Sequence, residues 1–484
     1  MIRKRMSPRA SAGVEVRLVA AGLLSLFALA ASCGMPGAPP AQDLPKRATP
    51  AMLKDDGHNN LVAPNPTGEA RTFSTAGGID TNNLFFKSIG TNGRSCVSCH
   101  VAAQGWSITP SGLQARFDSS AGTDPVFRTN DGSNSPNADV STVSARRAAY
   151  SMLLNRGVIR VGIGILPSAE FELVAVDDPY GFASSAELSL FRRPLPSTNL
   201  PFISAVMWDG RETFAGNTIH FDLGHQSNDA TLGHAQAATP LTAAQEEEIV
   251  DFEVQLFTAQ SRDDEAGNLE ARGGGGGPVQ LSATPFHIGI NDTLGADPSG
   301  APFDPVAMTL FAAWSGIKSG DDDGRNAARL AVARGEALFN TRRFNVSGVR
   351  GLNDITGAPV IAATCTTCHN TPNVGDHSVS LPLDIGLTDE SRRLPDQPLY
   401  TLRNKMTGEL YRTTDPGRAL ITGRWADRSR FKGPILRALA ARAPYFHNGS
   451  AATLEDAVHF YETRFGAAFT AAEKHDLVAF LRSL

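Results

Sequence analysis

Five consecutive residues carry the strongest chemistry in this chain of 484 residues: Cys96-Val97-Ser98-Cys99-His100. Two thiols separated by two residues, with a histidine directly after them, fit the attachment of a c-type haem. The thiols add across the two vinyl groups of one porphyrin, so they must face the same side of a short turn. The histidine then offers its imidazole to the iron from the proximal side. The pattern recurs at Cys365-Thr366-Thr367-Cys368-His369, so four of the five cysteines are used in this way. A four-cysteine zinc site and two short-loop disulfides are the competing readings, but zinc leaves both histidines without a reason. Two covalently bound haem c groups are therefore expected, with His100 and His369 as ligands to iron.

The fifth cysteine belongs to another pattern. Arg3, Lys4, Arg5 and Arg9 precede an apolar run from Leu18 to Ala31 that ends Ala30-Ala31-Ser32-Cys33. The run is short for a membrane span and has the outline of a bacterial lipoprotein signal peptide over residues 1–32, with Cys33 lipidated after cleavage. A plain signal peptide with Cys33 as a passenger is the alternative. Both imply export, as c-type attachment requires. The lipoprotein reading implies a periplasmic or cell-envelope location, with an outer-membrane lipid anchor as the only membrane contact. Residues 33–66 are rich in Pro and Ala, lack apolar periodicity and read as a disordered tether. The formal net charge is −5, and residues 1–32 hold five bases against Glu15, so the exported part is more acidic still. That speaks against a nucleic-acid partner and suits a basic redox protein.

The elements that must position the motifs read as mainly α, with long loops. Helices are expected over 144–153, over 242–260 with Thr242 and Gln245 as a capping box, over 326–339, and over the C-terminal stretch that Thr470-Ala471-Ala472-Glu473 opens. Residues 158–163 and 171–176 read as a pair of strands, and Gly273–Gly277 as a flexible loop. The expected division is an N-terminal haem domain over 67–325, carrying insertions, and a C-terminal cytochrome c-like haem domain over 326–484.

Several further stretches accompany the two motifs: Met207-Trp208-Asp209-Gly210-Arg211, Phe431-Lys432-Gly433-Pro434-Ile435-Leu436-Arg437, and Ala443-Pro444-Tyr445-Phe446-His447-Asn448-Gly449-Ser450 followed by Thr453–Val458. Together, and in this order, they resemble the bacterial di-haem cytochrome c peroxidase family, including its methylamine-utilisation branch. The resemblance is dense over 335–484, patchy over 76–260 and absent over 262–325. It implies two cytochrome c-like helical domains, hydrogen peroxide as the substrate at the first haem, and electrons passed on by the second. A small cytochrome or cupredoxin would be the donor, and a homodimer is admitted. It casts Trp208 as the electron bridge. It places Tyr461, fourteen residues after His447, as second ligand of the second iron, with His447, His459 and Met406 as competitors. It calls for a distal acid–base group some twenty residues after the tryptophan. No glutamate stands there, and His234 and Gln236 take its place as candidates, with His225 and Asp229 behind them. It also implies a calcium ion between the haems, held by an asparagine and by backbone carbonyls of Arg442 and Pro444. The asparagine's position falls at Arg193, with Asn199 as a nearby substitute. Two other functions fit the same residues: ferryl chemistry on a protein or organic substrate, and simple electron transfer between two six-coordinate haems.

Overall fold

The computed structural model describes residues 59–318 and 324–484. The expected signal peptide, Cys33 and most of the expected tether lie outside the described residues. Order nonetheless begins earlier than the composition implies. Leu61–Asn65 and Gly68–Ser74 form a hairpin inside the stretch assigned to the tether and just beyond it. The hairpin pairs onward with Leu256–Asp263, which pairs with Gly267–Asn268, giving a four-stranded antiparallel sheet. Ala70 and Thr72 face inward, and the Thr72 hydroxyl meets that of Thr258 at 2.9 Å. Pro and Ala hide a strand from a compositional reading, because it is the partner strands that make this segment extended.

The same sheet explains a second departure. The helix expected over 242–260 has the capping box of Thr242 and Gln245 but ends at Val254. Leu256-Phe257-Thr258 is drawn instead into ladder pairing with Ser74, Phe73 and Thr72. The helix expected over 144–153 is two short ones, Val143–Ala149 and Ser151–Arg156, meeting at Tyr150. The two expected strands exist, but not as a pair: Ile159–Ile163 pairs with Leu188–Arg192, and Phe171–Asp177 with Leu399–Asn404. Strand periodicity marks a strand without naming its partner. With helix at 32% and strand at 16%, the expected mainly-α class gives way to helices, small sheets and long loops.

The Gly273–Gly277 run is a packed crossing rather than a flexible loop. Gly275, Gly276 and Gly277 donate to the carbonyls of Leu310, Leu269 and Gln260. A Cβ on Gly274 would lie 2.3 Å from the Leu269 carbonyl oxygen. The glycines are there because the backbones approach too closely for side chains. Around this crossing Ala266, Leu269, Met308, Phe311 and Trp314 enter the same core as Asn326–Thr341 and Ala471–Arg482.

Those two helices cross at Gly335, where an added Cβ would stand 1.9 Å from the Asp476 carbonyl oxygen. Elsewhere in a helix, alanine would be the better residue. Here Gly335→Ala should destabilise the protein by about 1–3 kcal/mol, because the crossing must open. Denaturant unfolding of the holoprotein reads this, and a stabilised variant would contradict it.

Candidate functional site

Both cysteine motifs fold as the same single turn. Cys96–Ser98 and Cys365–Thr367 are 3-10 turns. In each, the residue before the first cysteine is capped by a hydroxyl three residues on: Ser98 Oγ accepts from Ser95 N at 3.1 Å, and Thr367 Oγ1 from Thr364 N at 3.0 Å. The histidine N–H closes the turn on the first cysteine's carbonyl, at 3.0 Å in both copies. The four thiols are free, which removes the disulfide reading. The two pairs line separate cavities, which removes a shared four-cysteine zinc site.

The first cavity holds about 1490 Å³ of empty space, its open mouth included, and the second about 1750 Å³. His100 Nδ1 is 3.1 Å from the Trp106 carbonyl oxygen, and His369 Nδ1 is 2.6 Å from that of Gly375. Each ring is thus oriented through Nδ1, which leaves Nε2 for a metal. Enclosure pushes both imidazoles down to about 4, so they are neutral, as ligation requires. It pushes the thiols of Cys96, Cys365 and Cys368 up to about 12. Paired thiols on one turn, a neutral imidazole and a roomy cavity fit haem c at both places.

Trp208 belongs to the walls of both cavities, together with Arg193, Pro194, Leu195, Pro196 and Lys432. Its indole N–H donates to the Arg193 carbonyl at 2.8 Å. Tyr461 lines the second cavity from the helix Leu454–Phe465, which a Thr453 and Asp456 capping box opens. Enclosure and the nearby Cys368 and Cys365 raise its pKa. Two of its three competitors fall away. Met406 is 89% exposed, and His459 sits on the surface beside Glu462. His447 lines the second cavity but is stacked on Phe431 at 4.1 Å, edge-on to Trp208.

Of the distal candidates, the structure brings His234 to the first cavity and leaves Gln236 exposed, outside its wall. His225 is paired with Glu212 at 2.7 Å, and Asp229 is exposed beside that pair. His234 follows the helix Ile219–Gly233, and its Nδ1 meets Asp131 at 2.5 Å. Asp131 is buried and also paired with Arg94. Burial alone would raise the Asp131 carboxyl, but His234 and Arg94 hold it low. The sequence reading missed Asp131 and Arg94, for nothing in their local pattern marks them. It also missed Glu253, a buried wall residue of the first cavity whose carboxyl burial pushes up to about 8. The signal for Glu253 was present: it is an acid on the buried side of a helix, between Phe252 and Val254.

At the calcium position expected beside Pro444 a backbone carbonyl faces a guanidinium. Arg193 Nη2 donates to the Arg442 carbonyl at 3.0 Å, which spends a carbonyl the ion would need on a cation already present. Asn199, the proposed substitute, exchanges both side-chain hydrogen bonds with Thr258 at 2.9 Å. Pro444 is instead part of the second cavity's wall.

No family model matches the sequence. A cytochrome-c peroxidase, IdrP1, of Pseudomonas sp. is 29% identical over 212 residues, 40% of this chain and 46% of that protein. The cytochrome c551 peroxidase of Nitrosomonas europaea is 35% identical over 123 residues, 25% of this chain and 30% of that protein. The chain thus spans less than half the length of the curated relatives it matches. Among solved structures, a MauG-like protein associated with microbial copper homeostasis aligns over 92% of this chain and 94% of its own, with 16% identity and a TM-score of 0.37. A point variant of the di-haem peroxidase BthA from Burkholderia thailandensis aligns over 88% and 94%, with 15% identity and a TM-score of 0.29. Sequence motifs and curated relatives agree, and the chain is a relative of the bacterial di-haem cytochrome c peroxidases.

Proposed function

We propose that this chain is an exported di-haem oxidoreductase that reduces hydrogen peroxide in the first cavity with electrons delivered through the second. The observation that carries the reading is Trp208, whose side chain stands in the walls of two cavities that each contain a Cys-x-x-Cys-His turn. When bound, haem c supplies the iron at which peroxide takes up electrons. His100 and His369 would hold the irons, and Cys96, Cys99, Cys365 and Cys368 would carry the thioether links. Reduction of one peroxide to two waters takes two electrons and two protons. His234, fixed through Nδ1 by Asp131, presents Nε2 to take a proton from the near oxygen and return it to the departing one. Burial pushes the Glu253 carboxyl up to about 8, so it favours the protonated form and adds a second proton store in the same wall. Trp208, a large oxidisable ring held by the Arg193 carbonyl, shortens the electron path between the cavities. A small cytochrome or cupredoxin would restore the electrons.

The test is the optical and low-temperature EPR spectrum of the ferric holoprotein, before and after stoichiometric hydrogen peroxide. One high-spin and one low-spin haem, with a rapid change on peroxide, is the expected result. Two low-spin haems that peroxide leaves unmoved, even after partial reduction, would leave only an electron carrier.

A second reading, oxidation of a protein or organic substrate, is favoured by Tyr461. A phenolate is a hard anionic ligand that favours Fe(III), so it would stabilise oxidised states of the pair. Tyr461→Phe should change the low-spin spectrum of the second haem and raise its reduction potential. An unchanged spectrum would return Tyr461 to the role of a wall residue.

A further inference from the structure

The side chain of Arg193 is buried between the two cavities, yet it forms no ion pair with a carboxylate among the described residues. Its side-chain hydrogen bonds among the described residues all go to backbone oxygen, beside the like charge of Arg442 and the phenol of Tyr445. Nη2 donates to the carbonyls of Ile108 at 2.7 Å and Arg442 at 3.0 Å, and Nη1 to those of Arg156 at 3.0 Å and Gly157 at 3.4 Å. These carbonyls come from three places: the segment after the first motif's turn, the end of Ser151–Arg156, and the loop before Tyr445. A cation enclosed in carbonyl oxygens from several segments is the environment protein gives a hard metal ion. A buried charge without such oxygens would be very costly.

The cage is shaped for this side chain. Gly157 has φ +61°, and a Cβ there would lie 2.4 Å from Arg193 Nη1. The backbone of Arg193 ties the cage to the functional wall on both sides. Its N–H donates to the His447 carbonyl at 2.6 Å, and its carbonyl accepts the Trp208 indole N–H at 2.8 Å. The wall between the cavities therefore hangs on one residue whose side chain is anchored by both halves of the protein.

We infer that the Arg193 guanidinium is a built-in replacement for the inter-haem metal ion, so that this protein needs no calcium to hold Trp208 between its two cavities. A tethered guanidinium cannot dissociate, and its five donors satisfy carbonyls that a metal would otherwise collect. Arg193 is on this account a positioning residue: it touches no reacting atom and acts through Trp208.

The experiment uses the full holoprotein and reads metal content and thermal unfolding, so it is independent of whether peroxide is the substrate. The purified protein is expected to carry far less than one calcium per chain by elemental analysis. Its unfolding temperature and both haem spectra should be unchanged by excess EGTA or by millimolar CaCl₂. One calcium retained per chain, or an unfolding temperature that EGTA lowers and calcium restores, would overturn the inference. Arg193→Ala opens the cage, and its unfolding temperature should fall and then rise on addition of CaCl₂ or of low millimolar guanidinium, neither of which moves the parent. A variant as stable as the parent and deaf to both cations would also overturn it. If Arg193→Ala does not fold, the parent protein's response to EGTA still decides. Arg193→Lys keeps the charge but not the fork, and should fall between the two in stability.

Discussion

Asp415→Ala should lower the unfolding free energy by about 3–5 kcal/mol, the cost of leaving a buried charge without its partner. Arg192, 2% exposed at its side chain, donates from Nε to Asp415 at 2.7 Å and from Nη2 to the other oxygen at 2.9 Å. Its Nη1 meets Asp209, which also holds Arg211. The cluster is balanced, two guanidinium groups against two carboxylates, so deleting Asp415 leaves a net positive charge in the interior. Burial alone would raise the Asp209 carboxyl, yet Arg192 and Arg211 beside it bring it down to about 2. Because that folded pKa is depressed, the stabilisation is fully present above about pH 4 and is lost as the pH falls through about 2. Asp209 directly follows Trp208, and Asp415 lies in the second half of the chain. The cluster therefore also joins the indole's segment to the rest of the wall. Denaturant unfolding of holoprotein measures the loss, with Asp415→Asn as the isosteric control. A change under about 1 kcal/mol in both would show that Asp209 and solvent compensate the charge.

His234→Ala should slow peroxide reduction about 10²–10⁴-fold, the usual contribution of a positioned proton carrier, with both haem spectra intact. Asp131→Asn is the more discriminating partner. It keeps the shape but loses the anion that orients Nδ1, so its effect should be on kcat and on the pH profile more than on KM. Glu253→Gln separates the two groups in the wall. If His234→Ala stays within about tenfold of the parent while Glu253→Gln loses the rate, the proton passes through the carboxyl. If both variants are fully active, the proton path lies elsewhere and the assignment fails. The spectra taken alongside show that neither substitution has displaced His100.

What the chain announces without any fold is chemistry held within a few residues. Cys96, Cys99 and His100 need only one turn to act together, and so do Cys365, Cys368 and His369. Their spacing alone therefore implied a cofactor, and the structure forms the same turn twice. The capping boxes at Thr242, Thr453 and Thr470 are legible for the same reason, since each hydrogen bond closes within three residues. Tyr461 and Trp208 could be singled out only through the family's motif order; Trp208 lines both cavities and Tyr461 the second.

Tertiary structure decided everything that depends on a distant partner. Leu61–Asn65 is a strand because Gly68–Ser74 lies beside it, itself paired on its other edge with Leu256–Asp263. Phe171–Asp177 pairs more than two hundred residues away, with Leu399–Asn404. His234 is held in the wall of the first cavity through Asp131, about a hundred residues earlier. Arg193 looks like a poor neighbour for a metal in the sequence, and the fold turns it into the cation itself by collecting carbonyls from three segments. The physical reason is common to all of these. Local motifs are stabilised by bonds the chain makes with its near neighbours, whereas strand pairing, burial and the satisfaction of buried charge are set by which segments the core brings together.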